Sequence, residues 1–285
     1  MGTVNVADAR TGEGVLVVLP TYNEAPTIQR VLEAVHIALP SAHMLVVDDA
    51  SPDGTAALAR QVGDRSGSVQ VLARPAKSGL GSAYRDGFRW GLERGYRVLC
   101  EMDSDLSHDP GDLGRLVEPV LAGEAELVIG SRYVTGGETV DWSPARQAIS
   151  RLGNLYANTL LRLGVADATA GFRAYAASLL LRLDLDQLRA DSYGFQVEMT
   201  HLTRTAGGRV AEVPIRFVDR QAGVSKMSAH TVREAFVVVA ALWVKGLVGR
   251  DRSAVATRPT AAQGRGAALE PRGHHPSTEV RDAPA

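Results

Sequence analysis

The chain has 285 residues, 45% of them hydrophobic, enough to bury a full core as one large domain or two small ones. Its formal net charge is −1, with acids gathered in the first half and Arg frequent across residues 132–226; no nucleic-acid partner is expected. The single cysteine, Cys100, excludes an internal disulfide and any metal site of Cys type.

The opening segment, MGTVNVADARTGEG, has neither a basic start nor an apolar run. It does not read as a secretory signal, so a flexible terminus over 1–14 and a cytoplasmic location are expected. Short apolar runs then follow at VLVVLP (15–20), MLVVDD (44–49), VQVLAR (69–74), VLCEMD (98–103) and ELVIGS (126–131), each ending in polar or turn residues. That pattern predicts strands covered on both faces. Between the first two, Ile28, Val31, Leu32 and Val35 are spaced as one helix face within 26–39. Ser51 followed by Pro52 predicts an N-cap and a first-turn proline ahead of a helix over about 54–64. KSGLGSAYRDGF (77–88) lacks Walker spacing and reads as a tight turn packing a helix against the sheet. The β-α-β-α order predicts an α/β fold with a mostly parallel central sheet, whose ligands bind at the carboxyl ends of the strands.

Farther along, RQAISRLGNLYANTLLRLGV (146–165) places Ile149, Leu152, Leu155, Tyr156, Leu160 and Leu163 near one helical face, with Arg146, Arg151 and Arg162 among them. An interfacial helix and ordinary packing on the sheet both account for that stripe. The run FVVVAALWV (236–244) has nine residues, against about 20 for a helix that spans a bilayer. Flanked by Arg233 and Lys245, it suits either a membrane surface or a buried helix. Beyond Arg250 the chain is rich in Ala, Pro, Gly and charge without periodicity, and a disordered tail is expected over 251–285.

Polar clusters follow four of the predicted strands: PTYNE (20–24), DDASPDG (48–54), DSD (103–105) and GSRY (130–133). A parallel sheet would bring Glu24, Asp49, Asp103, Asp105 and Arg132 to one cleft. Taken alone, Asp48, Asp49 and Asp53 read as turn and cap residues. Two acids spaced D-x-D on a strand end can hold a hard divalent cation while leaving positions open for substrate phosphates. A calcium loop of EF-hand type fails, because it needs Gly at the place of His108 and an acid at the place of Gly114. A phosphatase using Asp103 as nucleophile also fits the D-x-D, but leaves PTYNE, DDASPDG and the basic half unexplained.

In order from Val17 to Met227, VVLPTYNE, VVDDASPDGT, MDSDLSHDP, GSRY, DATAGFRAY, GFQVEM and EVPIRFVDRQAGVSKM resemble the family 2 glycosyltransferases, and most closely the polyprenol-phosphate (dolichol-phosphate) mannose synthases. The resemblance implies a GT-A fold, a single Rossmann-like nucleotide-binding domain over 15–226, followed by an amphipathic or interfacial helix over 227–250. It implies GDP-mannose as donor, with Pro20, Tyr22, Glu24, Val47 and Asp49 lining the nucleotide pocket and Ser104 at the substrate. Asp103 and Asp105 match the family's metal-binding acids for Mg²⁺ or Mn²⁺, and Ser107 stands where the family commonly has a metal-contacting Gln. The implied acceptor is a polyprenyl phosphate, met by Arg132, Arg146, Arg220 and Lys226. Asp105, Arg132 and Arg146 carry the catalytic part of that expectation. A phosphate acceptor is already an oxyanion, so it needs positioning and charge screening more than proton removal. The family inverts at the sugar's anomeric carbon, implying a β-mannosyl phospholipid. Absence of a spanning segment implies a peripheral protein at the cytoplasmic membrane face, with an integral membrane protein as a further partner. Alternatives are a UDP-glucose donor, or a weakly active nucleotide-sugar-binding subunit. His108 reads as an incidental loop residue, and Asp167 as one that orders the acceptor loop.

Overall fold

The computed structural model describes residues 11–188, 190, 193–219 and 236–244. The expected tail at 251–285, Arg220 and Lys226 lie outside them. Strands β1 (Val15–Thr21), β2 (His43–Asp48), β3 (Val69–Ala73), β4 (Val98–Glu101) and β5 (Leu127–Ser131) coincide with the five apolar runs to within a few residues. β6 (Glu138–Val140), β7 (Arg173–Ala176), β8 (Val210–Pro214) and β9 (Arg216–Val218) complete the strands among the described residues. The main sheet has the order β3-β2-β1-β4-β7-β5-β8 and is parallel except for β7, which runs antiparallel to β4 and β5. β6 and β9 form a separate parallel pair.

Side-chain alternation explains why the runs are continuously apolar. On β1, Leu16 and Val18 enter one core while Val15, Val17 and Leu19 enter the other; Leu45 and Val47 against Met44 and Val46 repeat this on β2. These central strands are therefore roofed on both faces. One roof is α1 (Ile28–Ala38), α2 (Thr55–Ser66) and α4 (Leu113–Leu121). The other holds α3 (Leu80–Glu93), α5 (Pro144–Leu161), α6 (Ala177–Leu180) and α7 (Tyr193–Thr205). α3 lies close against the sheet because Gly87 has no side chain: a Cβ there would stand 2.5 Å from Val18 Cγ1. The expectation for KSGLGSAYRDGF is met in this packing.

One cap differs from the expectation. Gly54, at φ 87°, occupies the N-cap of α2, and Asp53 Oδ1 accepts from Thr55 N and Oγ1 at 3.1 and 2.6 Å. Ser51 instead folds back on Asp48, donating from its amide and hydroxyl. The acid in the turn outcompetes Ser51 because a carboxylate accepts amide and hydroxyl donors more strongly than a neutral oxygen does. The stripe on α5 also divides. Leu163 falls beyond the helix and is buried and Leu160 packs against the core, whereas Ile149, Leu152 and Leu155 are exposed.

The sheet order reverses between β1 and β4, since the chain runs from β1 outward to β3 before crossing back. Such a switch point opens a crevice at the carboxyl ends. PTYNE and DSD border it.

Candidate active site

Hydrogen bonds tie the polar loops into one rim. Asp49 N donates to Thr21 O at 3.0 Å, Asn23 N to Ser51 Oγ at 3.0 Å and Glu24 N to Thr55 Oγ1 at 3.0 Å, joining the loops after β1 and β2. Ser104 Oγ donates to Pro20 O at 2.7 Å, and Thr27 Oγ1 to Ser104 O at 2.8 Å, joining the loops after β1 and β4. Tyr22 is half-buried beneath Lys77, whose Nζ lies 3.8 Å from the ring centroid. Asp49 is buried and engaged: Arg74 Nη1 pairs with one oxygen, and the amides of Ser78 and Gly79 donate to the other at 3.1 and 3.2 Å. Val47 is fully buried beneath α3, with its backbone paired between β1 and β3, so the structure does not bring it to the surface of the cleft as expected.

In the D-x-D loop, Asp103 is half-buried and Asp105 is 3% exposed. Leu106 takes φ 65°, which turns the chain so that Ser107 N and Oγ both donate to Asp105 Oδ1, at 3.0 and 2.6 Å. Ser107 thereby orients the carboxylate. Its carbonyl accepts from Val218 N at 3.1 Å, fastening the loop to β9. Four of the five non-glycine residues with positive φ among those described, Asn23, Ala50, Leu106 and Asp141, lie in or beside this rim. Such conformations cost on the order of 1–3 kcal/mol each and concentrate at functional sites.

Arg132 leaves the end of β5 and is 6% exposed. Its Nε and Nη2 donate to the two oxygens of Asp167 at 2.7 Å each, its amide donates to Asp167 Oδ2 at 3.1 Å, and Nη2 also donates to Thr169 Oγ1 at 2.8 Å. Burial alone would raise the Asp167 pKa, yet the Arg132 guanidinium holds it below the ordinary carboxylate range. Glu212 on β8 in turn accepts from the amides of Ala166 and Asp167. Arg146 sits in the first turn of α5, which Ser143 caps by accepting from Arg146 N at 3.3 Å, with Pro144 at the first helical position. The Arg146 guanidinium pairs with Asp219.

Sequence reasoning undervalued three residues. His108 is buried, stacked on Phe172 with ring centroids 4.9 Å apart and met edge-on by Phe217. Its Nδ1 accepts from Asp103 N at 3.3 Å. Burial pushes its pKa down to about 4, against the pull of Asp105 and together with the nearby Arg132. Asp167 is the second, since its role is to hold Arg132. Glu101 is the third: it lies fully buried behind Asp103, accepts from Gln196 Nε2 at 2.7 Å, and is pushed up to about 7 by burial against the pull of Arg173. The partners of these groups come from distant segments, and only DATAGFRAY and GFQVEM hinted at them.

Among solved structures, glucosyl-3-phosphoglycerate synthase from Mycobacterium tuberculosis in complex with Mn²⁺, UDP-glucose and phosphoglyceric acid superposes with a TM-score of 0.63 at 21% identity, over 86% of this chain and 85% of that one. A mannosyltransferase from Pyrobaculum calidifontis in complex with GDP-Man and Mn²⁺ gives 0.54 at 18% identity, over 81% and 64%. The mostly parallel sheet with flanking helices is the GT-A fold of glycosyltransferases. In sequence, residues 16–183 match the model of glycosyl transferase family 2. The undecaprenyl-phosphate mannosyltransferase of Micrococcus luteus is 52% identical over 79% of this chain and 92% of its own. The polyprenol monophosphomannose synthase of Mycolicibacterium smegmatis is 46% identical over 87% and 94%. The chain belongs to glycosyltransferase family 2, and it is a glycosyltransferase of the kind that resembles the polyprenol-phosphate mannose synthases.

Proposed function

We propose that the protein transfers mannose from GDP-mannose to a polyprenyl phosphate with inversion, giving a β-mannosyl phospholipid. The observation that carries this reading is the pair of relatives at 52% and 46% identity, both matched over more than nine-tenths of their length and both named for mannosyl transfer to a polyprenyl phosphate. The rim agrees with it. Pro20, Tyr22, Glu24, Asp49 and Ser104 line the donor side, and Arg132 and Arg146 stand on the acceptor side, where Arg220 and Lys226 would join them.

A divalent cation fits the donor set. Asp103 and Asp105 offer only oxygen, and Asp105 is already oriented by Ser107. No group of three or more His, Cys, Asp or Glu that could hold a metal occurs among the described residues. One or two carboxylates completed by substrate phosphates is the manner in which Mg²⁺ is held at phosphate-handling sites, and Mn²⁺ shares its oxygen preference. Mg²⁺ or Mn²⁺ at Asp103 and Asp105, with Ser107 beside them, would offset the charge on the departing diphosphate. In the transfer, an oxygen of the acceptor phosphate forms the new bond to the anomeric carbon as the bond from that carbon to the GDP oxygen breaks, and GDP leaves with the electron pair. No proton need be removed from the acceptor. Arg132, fixed by Asp167, and Arg146, fixed by the capped first turn of α5, screen the repulsion between two phosphate-bearing reactants.

For the lipid, Ile149, Leu152 and Leu155 on α5 and Phe236, Val237, Trp243 and Val244 on the helical segment 236–244 are exposed. The two helices meet where Tyr156 and Phe236 pack with ring centroids 4.6 Å apart. An exposed apolar face of this kind, with Arg146 and Arg151 on α5 and Arg162 at its C-cap, suits the headgroup region of the cytoplasmic membrane face. No helix among the described residues is long and apolar enough to cross a membrane.

The test supplies labelled GDP-mannose or labelled UDP-glucose to the purified protein with a short polyprenyl phosphate in anionic vesicles. Expected are lipid-phase label from GDP-mannose alone, its loss with EDTA and its return with Mg²⁺ or Mn²⁺, and flotation of the protein with the vesicles. Label from UDP-glucose would overturn the donor. Flotation only when an integral membrane protein is present would replace direct membrane contact by a partner.

A further inference from the structure

Where the rim turns from β6 into α5, two buried donors lack acceptors. Trp142 is 8% exposed, and neither its indole Nε1 nor the Nε of Arg146 has a hydrogen-bond partner among the described residues. The two side chains form one stack, with Arg146 Cζ 4.1 Å from the centroid of the Trp142 ring. Arg132 Cζ lies 5.3 Å from the same ring. Phe217 meets Trp142 edge-on at 5.5 Å and has Arg132 Cζ 5.5 Å from its own centroid. Both guanidiniums of the acceptor side thus share Trp142 as a neighbour.

The electronegative ring faces attract the two cations but accept no hydrogen bond from Trp142 Nε1 or Arg146 Nε. Buried polar groups are almost always paired, and adjacent exceptions call for an explanation such as a ligand that completes them. The chemistry of this place specifies the ligand, because two guanidiniums and an indole N–H are donors only, which selects an oxyanion. A carboxylate is already accommodated there: Asp219 pairs with Arg146, and its side chain, 37% exposed, has room to yield. Trp142 directly precedes the cap of α5, whose exposed Ile149, Leu152 and Leu155 begin two turns farther on. An anion at Trp142 therefore lies at the head of an apolar surface, as the headgroup of a lipid phosphate would.

We propose that Trp142 is a substrate-contacting residue whose indole N–H donates to the phosphate monoester of the acceptor, between Arg132 and Arg146, with Asp219 displaced as it enters. The proposal rests on the reading that the acceptor is a polyprenyl phosphate.

Trp142→Phe tests it, because phenylalanine keeps a six-membered ring for the arginines and removes the donor together with the five-membered ring that carries it. The KM for a short polyprenyl phosphate is expected to rise about tenfold, the size of effect of a lost hydrogen bond to a charged group, while the KM for GDP-mannose stays unchanged. The smaller ring is expected to lower the melting temperature of the ligand-free protein whatever the role of the N–H, so the split between the two KM values is the deciding readout. An unchanged acceptor KM overturns the proposal, as does an equal rise in both KM values, which a packing role would give, or a rise confined to GDP-mannose, which would move the contact to the donor diphosphate. If the wild type transfers to polyprenyl phosphate and the variant matches it, the functional reading stands and the Trp142 contact alone fails; a wild type that uses no polyprenyl phosphate removes both.

Discussion

Asp105→Ala is expected to lower sugar transfer by about a thousandfold or more, the scale of losing one preorganised charge-stabilising group from a transition state, while the protein stays folded. Asp105 sits at the rim, and Ser107 donates two hydrogen bonds to its carboxylate. Losing them costs about 1–2 kcal/mol, or a few degrees of melting temperature. Asp105→Asn sharpens the comparison, since an amide oxygen still accepts from Ser107 but carries no charge for a cation. That variant is expected to melt with the wild type and to lose nearly as much rate. Label transfer beside calorimetry measures both. Near-normal turnover by a folded Asp105→Ala protein would remove this acid from the mechanism.

Asp167→Ala is expected to act mainly on stability. The Arg132–Asp167 pair is buried and doubly hydrogen-bonded, and removal of one partner from such a pair costs about 3–5 kcal/mol because the other charge stays buried without it. For a domain of this size that corresponds to a fall of roughly 10 °C in melting temperature. Activity should fall with it at temperatures where the variant is folded, because Arg132 loses the fork that aims it. The double variant Asp167→Ala, Arg132→Met separates the two effects: it should recover much of the stability, the stranded charge being gone, and recover no activity. A single variant that melts within about 2 °C of the wild type would show that Asp167 does not hold Arg132 in solution.

The five parallel strands and the D-x-D loop were legible in sequence because their signals are local: continuous apolar runs, then acids at the strand ends. β7 was not, although DATAGFRAY stood out as a motif. Its Arg173 is fully buried, donating to Ala168 O, Ala170 O, Gln196 O and Thr200 Oγ1, and a buried arginine has no local signature that separates it from a surface one. His108 was undervalued for the same reason, since Phe172, just before β7, and Phe217, on β9, which enclose it, lie far from it in sequence. Ser51 misled because two candidate caps lie within three residues, and the choice of Asp53 depends on Ala25 N, to which that acid also binds at 3.0 Å across the rim. The stripe at 146–165 was truly ambiguous in sequence, and the structure uses it both ways, with Leu160 and Leu163 inward and Ile149, Leu152 and Leu155 outward.

The central claim is that an acceptor phosphate oxygen replaces GDP at the anomeric carbon of mannose. It is tested most directly by isolating the lipid product formed from GDP-mannose and a short polyprenyl phosphate and determining its linkage by mass spectrometry and the one-bond carbon–proton coupling at C1. The account predicts a mannosyl phosphodiester of β configuration, inverted from the α-linked donor. An α-mannosyl product, or a lipid that carries no phosphate-linked mannose, would contradict it.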